Sequence, residues 1–151
     1  AGGSADSRQL VAACALGAQG VQVGTCLLVS EECPIHENYK KAVLEARDTD
    51  TTVTGRIAGV PVRILKNKMA REYIRREKEG ADRLELEKYT LGSLRRAVLY
   101  GDVKNGSLMA GQVAGMCNHV RPVAEIIRSL FSKSGDVLEK LDKEFSWPVE
   151  R

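Results

Sequence analysis

Apolar residues recur along the chain at two spacings, and the change from one to the other marks its elements. From Ser7 to Leu16 the apolar positions Leu10, Val11, Cys14 and Ala15 follow a helical period. Ser4 or Asp6 is placed to cap that helix, and Gly17 to end it in a left-handed turn. Ala12, Ala13, Ala15 and Ala18 are small enough for close packing on a sheet. Val21 and Val23 then alternate with Gln22, as in a short strand, and Gly24-Thr25 ends that strand where a helix can begin. The strand–turn–helix–strand rhythm predicts parallel α/β architecture.

Further along, Ser30-Glu31-Glu32 reads as a helix start and Pro34 as a break. A helix is expected over His36–Ala46, with Tyr39, Val43 and Leu44 on its apolar side. Asp48–Gly55 and Val60–Leu65 read as two short extended segments joined through Ala58-Gly59. Lys66–Glu79 is an amphipathic helix with Met69, Ala70, Tyr73 and Ile74 inward, stopped by Gly80. Two more helical stretches follow, one with Leu84, Leu86 and Tyr89, the other with Leu94, Ala97, Val98 and Leu99, ended by Gly101. Ser107–Gly115 is rich in small residues. As a helix it puts Gly111 and Gly115 on one face, open either to tight packing or to a flat ligand. Two apolar stripes close the chain, Val123, Ile126, Ile127, Leu130 and Phe131, then Val137, Leu138, Leu141 and Phe145, with Trp147-Pro148 as a packed tail.

Composition narrows the class without naming a function. At 151 residues, 43% apolar and 28% charged, the chain suits one ordinary globular domain. No apolar run approaches a membrane span. A net charge of +3 with interleaved signs argues against a nucleic-acid partner. The absence of an N-terminal Met and of a signal pattern suggests a fragment or processed chain. Cys14, Cys26, Cys33 and Cys117 form no C-x-x-C pair, so buried free thiols in a reducing cytoplasm are expected. Cys33-Pro34-Ile35-His36 has ligand-like spacing but no matching second pair, so no metal site is assigned. His36 reads as a surface or cap residue.

The chemistry-bearing positions are glycine turns. Gly20-Val21-Gln22-Val23-Gly24-Thr25 puts a glycine and a hydroxyl at the mouth of a helix, where free N–H groups suit an oxyanion. Ala1-Gly2-Gly3-Ser4 is a second such turn before a helix. Two turns about one βα unit apart can grip one phosphate, as (β/α)8 barrels do, or can be ordinary tight turns.

Read in order, these turns join further matches. They are Ser30-Glu31-Glu32-Cys33 with His36-Glu37-Asn38, Thr54-Gly55-Arg56, Val62-Arg63 with Lys66-Asn67-Lys68, and Gly101-Asp102-Val103 with Gly106 to Gln112. The set resembles the C-terminal half of flavin-dependent enoyl-acyl-carrier-protein reductase II proteins, relatives of nitronate monooxygenases. The departures are Ser4, where the family has a branched apolar residue, and Cys26-Leu27, where it has Arg-Phe.

The resemblance implies an α/β fold: the C-terminal part of a (β/α)8 TIM barrel with a small, mainly helical cap insertion. Residues 1–46 would be the last βα units, 47–100 the cap, and 101–151 the return to the barrel with the C-terminal helices. It implies FMN, with its phosphate held by Gly2, Gly3, Gly24 and Thr25 and its ring lined by Met109, Gly111 and Gln112. NADH or NADPH would be the reductant and an enoyl thioester the substrate. Nitronate oxidation is the first alternative, and a non-catalytic scaffold the second. Catalytic residues are expected on strands preceding Ala1. An acidic acyl carrier protein is the expected partner. Lys68, Arg71, Arg75 and Lys78 share one helix face on which it could dock, though a solvated mixed-charge surface is the plainer reading of that face. A homodimer is left open, and the location is expected to be cytoplasmic.

Overall fold

The computed structural model describes residues 2–146, and the tail at Trp147-Pro148 lies outside them. Helix α1, Ser7–Ala15, starts where Asp6 accepts from the Arg8 and Gln9 amides while the Gln9 side chain accepts from the Asp6 amide, a reciprocal cap. Gly17, at φ +92°, turns the chain out of it. Two C-terminal helices, α7 (Val123–Phe131) and α8 (Ser134–Phe145), pack against α1. The Ser7 hydroxyl ties them, donating to the Ser129 carbonyl at 2.9 Å and accepting from the Lys133 amide at 3.3 Å.

Between these lie α2 (Thr25–Leu28) and α3 (Glu37–Leu44). His36 caps α3, its Nδ1 accepting from the Asn38 amide at 3.1 Å. Strand β1, Thr51–Thr54, then pairs antiparallel with β2, Val62–Leu65, with Thr51 opposite Leu65 and Thr54 opposite Val62. Gly55, at φ +74°, makes the turn possible. A Cβ there would lie 2.3 Å from the Val60 carbonyl oxygen. The buried Glu77 holds the hairpin tip, its Oε1 accepting from the Ile57 and Ala58 amides at 2.9 and 3.1 Å.

Helices α4 (Lys68–Lys78), α5 (Arg83–Thr90) and α6 (Ser93–Tyr100) complete the excursion. Asn67 caps α4 by accepting from the Ala70 amide at 2.8 Å, and Asp82 caps α5. Ile64, Met69, Ala70, Tyr73 and Leu86 form one buried cluster. A second, larger one joins Cys26, Val29, Tyr39, Val43, Leu108, Ala114, Cys117 and Ile126. The architecture of the described residues is α/β and mostly helical, and no helix among them is long and apolar enough to cross a membrane.

Four local expectations are corrected. Val21–Val23 is extended but forms no ladder. Among the described residues only the Gly2 amide reaches it, donating to the Gln22 carbonyl at 3.2 Å, and a strand needs a paired edge. Ser30–Glu32 starts no helix. Ser30 bridges Arg121 in parallel, and the Glu32 carboxylate accepts from the Val123 amide at 2.9 and 3.1 Å, capping α7 across the fold. Ser107–Gly115 is not an α-helix either. Leu108–Ala110 runs extended along β2, and a short 3-10 helix, Gln112–Met116, follows. Gly111 and Gly115 therefore share no face: the first abuts Thr25, the second the Arg47–Asp48 backbone. Lastly, Cys14 is exposed and Cys33 half-buried, leaving Cys26 and Cys117 as the buried thiols.

Candidate phosphate-binding site

Gly2 and Gly3 adopt successive left-handed conformations, φ +76° and +74°. A side chain at either position would meet no atom within 4 Å, so backbone conformation and not space reserves them for glycine. The Gly2 amide is spent on Gln22, which joins the first turn to the second. Among the described residues, the Gly3 and Ser4 amides have no protein acceptor. Successive free amides in such a turn form a concave, anion-favouring surface.

The second turn delivers the chain into α2, which has no side-chain cap, so its first N–H groups remain open. Thr25 is buried at its start, and its Oγ1 accepts from the Gly111 amide at 2.8 Å. That bond brings in a third segment. Leu108–Ala110 is held in place by the Leu65 amide donating to the Leu108 carbonyl at 2.9 Å, and by the Ala110 amide donating to the Arg63 carbonyl at 3.3 Å. The buried Tyr39 hydroxyl donates to the Met109 carbonyl at 2.8 Å. Burial pushes the Tyr39 phenol above its ordinary value, which keeps it a donor.

These three segments enclose a cavity of about 230 Å³, lined by Gly2, Gly3, Ser4, Gln22, Val23, Gly24, Thr25, Gly111 and Val113. No carboxylate lines it. The acid nearest in sequence, Asp6, is engaged elsewhere, bound to Arg8 at 2.6 Å and to the α1 amides. Burial works against its ionisation, but the Arg8 guanidinium and those amides outweigh it, so its carboxyl sits below the usual range. Because Asp6 already fills the α1 N-terminus, the first turn contributes glycine backbone and not a helix end.

The four residues expected at the phosphate, Gly2, Gly3, Gly24 and Thr25, therefore meet in one place, and Gly111, expected at the flavin ring, lines the same cavity. Met109 and Gln112 do not line this cavity. Leu108–Ala110 is extended, so neighbours alternate in direction. Leu108 and Ala110 are buried, whereas Met109 lines a separate cavity of about 270 Å³ among the hairpin, α4 and α6, with Val62, Ile64, Tyr73 and Ser93. Gln112 is exposed on the 3-10 helix. Of the residues that sequence reasoning left out, Ser4 was visible as a hydroxyl inside the first turn. Gln22 and Val23 lie within the quoted Gly20–Thr25 turn, and Val113 carried no local signal.

The fit to FMN is specific to one end of the molecule. Left-handed glycines, open amides, a hydroxyl and no acid suit a phosphate. At about 230 Å³ the cavity falls short of the usual volume of a ligand pocket, so it matches a phosphate group and not a whole flavin.

Thr25→Val should cost about 1 kcal/mol of stability by orphaning the part-buried Gly111 amide. It should also weaken FMN binding about tenfold. Thr25→Ser, which keeps the acceptor, should restore both. Denaturant midpoints and FMN titration of the full-length protein check this. Equal behaviour of the two variants would show that the hydroxyl does not organise the site.

Comparison with known proteins gives the family. A sequence model of the nitronate monooxygenase family matches residues 1–133. A probable nitronate monooxygenase of Staphylococcus saprophyticus is 32% identical over 144 residues, covering 93% of this chain and 39% of that protein. The structure of FabK from Thermotoga maritima superposes with a TM-score of 0.89 at 40% identity, covering 95% of this chain and 46% of FabK. Nitroalkane oxidase from Streptomyces ansochromogenes superposes with a TM-score of 0.72 at 25% identity, covering 93% of this chain and 40% of the oxidase. The chain belongs to the nitronate monooxygenase family, and it spans less than half the length of these relatives.

Proposed function

We propose that this chain forms the phosphate-binding and cap portion of an FMN-dependent, NAD(P)H-consuming oxidoreductase on a (β/α)8 barrel. The observation that carries it is the meeting of Gly2, Gly3, Gly24, Thr25 and Gly111 around one acid-free cavity. Bound FMN would supply the redox chemistry. This chain's part is to hold its phosphate: open amides at Gly3, Ser4 and α2 receive the charge, and the Thr25–Gly111 bond fixes the distance between two walls. Met109 and Gln112 stand on the next segment as candidates for the ring. The flavin absorbance spectrum of the purified full-length protein tests this, and a colourless protein that takes up no FMN would leave a scaffold.

For the substrate we favour an enoyl thioester carried by an acyl carrier protein in the cytoplasm. The resemblance running from Ser30 through Lys68 supports this. The family match itself favours a second reading, nitronate oxidation. NADH consumption with crotonyl thioester, against oxygen uptake with a nitronate, separates the two.

The docking face on α4 is altered by its own pairing. Arg75 is clamped by Glu72 and Glu79, at 2.8 and 2.6 Å, and Arg76 also holds Glu72. Lys68, Arg71 and Lys78 are exposed and form no ion pair among the described residues. Arg71→Glu should therefore lower kcat/KM for an acyl-carrier-protein substrate several-fold, most at low salt. A small thioester should be unaffected. Equal losses on both would indicate damage to the cap, and no loss on either would leave α4 as solvated surface.

A further inference from the structure

The Cys26 and Cys117 sulfurs lie 3.4 Å apart, and both residues are buried as free thiols. They belong to the two segments that meet at the phosphate cavity. Cys26 follows Thr25 in α2. Cys117 ends the 3-10 helix that begins beside Gly111. The Thr25–Gly111 hydrogen bond and the thiol pair thus join the same two pieces of chain, one at the cavity wall and one behind it.

The core around the sulfurs is apolar, including Val29, Leu108, Ala114 and Ile126. Arg121 is the exception. Its Nε is buried without a hydrogen-bond partner among the described residues, and its charge favours the thiolate at both cysteines. The Cys117 thiol donates to Cys26 and holds the Cys26 thiol below its ordinary value, with Arg121 assisting and burial opposing. The same bond, together with burial, holds Cys117 up. Cys26 therefore has more thiolate character than Cys117, and the 3.4 Å separation puts the second sulfur within reach of the first.

We propose that Cys26 and Cys117 are a peroxide-sensitive thiol pair whose closure to a disulfide lowers ligand occupancy of the adjacent phosphate cavity. The ligand half of this rests on the phosphate reading above. Hydrogen peroxide is the oxidant. The Cys26 thiolate attacks one peroxide oxygen, the O–O bond breaks, and the departing hydroxide takes a proton to leave as water. Cys117 sulfur then attacks the sulfenic sulfur of Cys26. The S–S bond forms, and hydroxide leaves with the Cys117 proton as a second water. Two thiols lose two electrons in all, and one peroxide gains them.

A disulfide brings its sulfurs to about 2.05 Å, so the pair must close by more than 1 Å. The surrounding core is close-packed, so whatever part of that closure side-chain rotation does not supply falls on α2 and the 3-10 helix. Gly24, Thr25 and Gly111 ride on them as cavity walls, and at about 230 Å³ the cavity has little room to spare. Cys26 Sγ also contacts the Ser4 carbonyl at 3.9 Å, so its movement is felt in the first glycine turn too.

The test treats the full-length protein with hydrogen peroxide, maps its peptides without reduction, and follows FMN release by flavin fluorescence. A Cys26–Cys117 link is expected, with a rise in FMN Kd of about tenfold that dithiothreitol reverses. Cys117→Ser should bind FMN as the reduced wild type does and ignore peroxide; Cys26→Ser replaces it if that variant does not fold. Absence of the link, a link without change in FMN affinity, or an undiminished peroxide response in the serine variants would overturn the proposal. If the reduced protein binds no FMN at all, the phosphate reading falls and the occupancy claim with it, whereas failure of the link alone leaves FMN binding by the reduced protein intact.

Discussion

Gly24→Val in the full-length protein is expected to weaken FMN binding roughly 100-fold, about 2.7 kcal/mol, with its unfolding midpoint nearly unchanged. The separation of the two effects comes from local geometry. A Cβ at Gly24 would meet no protein atom within 4 Å, and its φ of −125° is not in the left-handed region. The fold therefore has no need of glycine there. The cavity does, because Gly24 is part of its wall and opens directly into α2. Two methyls at that place stand between an incoming phosphate and the first amides of the helix, and hydrogen bonds to a charged group are among the stronger ones a site can lose. Gly101→Ala is the useful contrast. Its Cβ would lie 2.2 Å from the His36 ring, so it should damage stability first and binding only as a consequence. FMN titration and chemical denaturation of both variants make the comparison. Unchanged affinity in Gly24→Val would remove the phosphate role from this turn.

What was legible in the sequence was what is decided locally. Asp6 with Gln9, and the apolar stripe on Lys68–Lys78, fix helices from side chains within a turn or two of each other. Gly17 and Gly101 end helices for the same local reason. The hairpin at Thr51–Leu65 could be read because its β-branched run and glycine turn are contiguous. The glycines of the site were legible too, since Gly2 and Gly3 are needed for a conformation and not for a neighbour.

What could not be read depends on partners far along the chain. Alternation at Val21–Val23 looks the same whether or not an edge is available to pair with it. Glu32 has the local pattern of a helix start, yet its carboxylate serves a helix 91 residues away. Spacing placed Gly111 and Gly115 on one face only if the segment is an α-helix. The pairing of Leu108–Ala110 with β2 and the pull of Thr25 decide otherwise, and they also turn Met109 away from the phosphate cavity. The thiol pair is the same kind of case, since no spacing rule connects Cys26 to Cys117.

Residues 1–151 produced alone should self-associate and bind an apolar dye, while the full-length protein does neither. An apolar groove of about 760 Å³ lies between α1, α7, α8 and the Val21–Val23 segment. Leu10, Val11, Ile127, Phe131 and Leu138 line it, and Phe131 and Leu138 remain 59% and 56% exposed. Leu16 beside it is 91% exposed. Apolar surface gathered in one groove is worth about 25 cal/mol per Å² when removed from water, so the chain gains by burying it against any available copy. The Val21–Val23 backbone adds to this, because among the described residues only its Gln22 carbonyl is paired, and extended chain so little paired is a template for another strand. The groove contains no charged side chain to discourage such contacts. Phe131→Lys combined with Leu138→Lys should restore solubility to the 151-residue chain, since both positions are on the exposed wall and neither belongs to the described core. Light scattering against concentration, with dye fluorescence, reads the outcome for both chains. A monodisperse 151-residue monomer that binds FMN in equal proportion would mean that the groove needs no cover, and that the phosphate site works without the rest of a barrel.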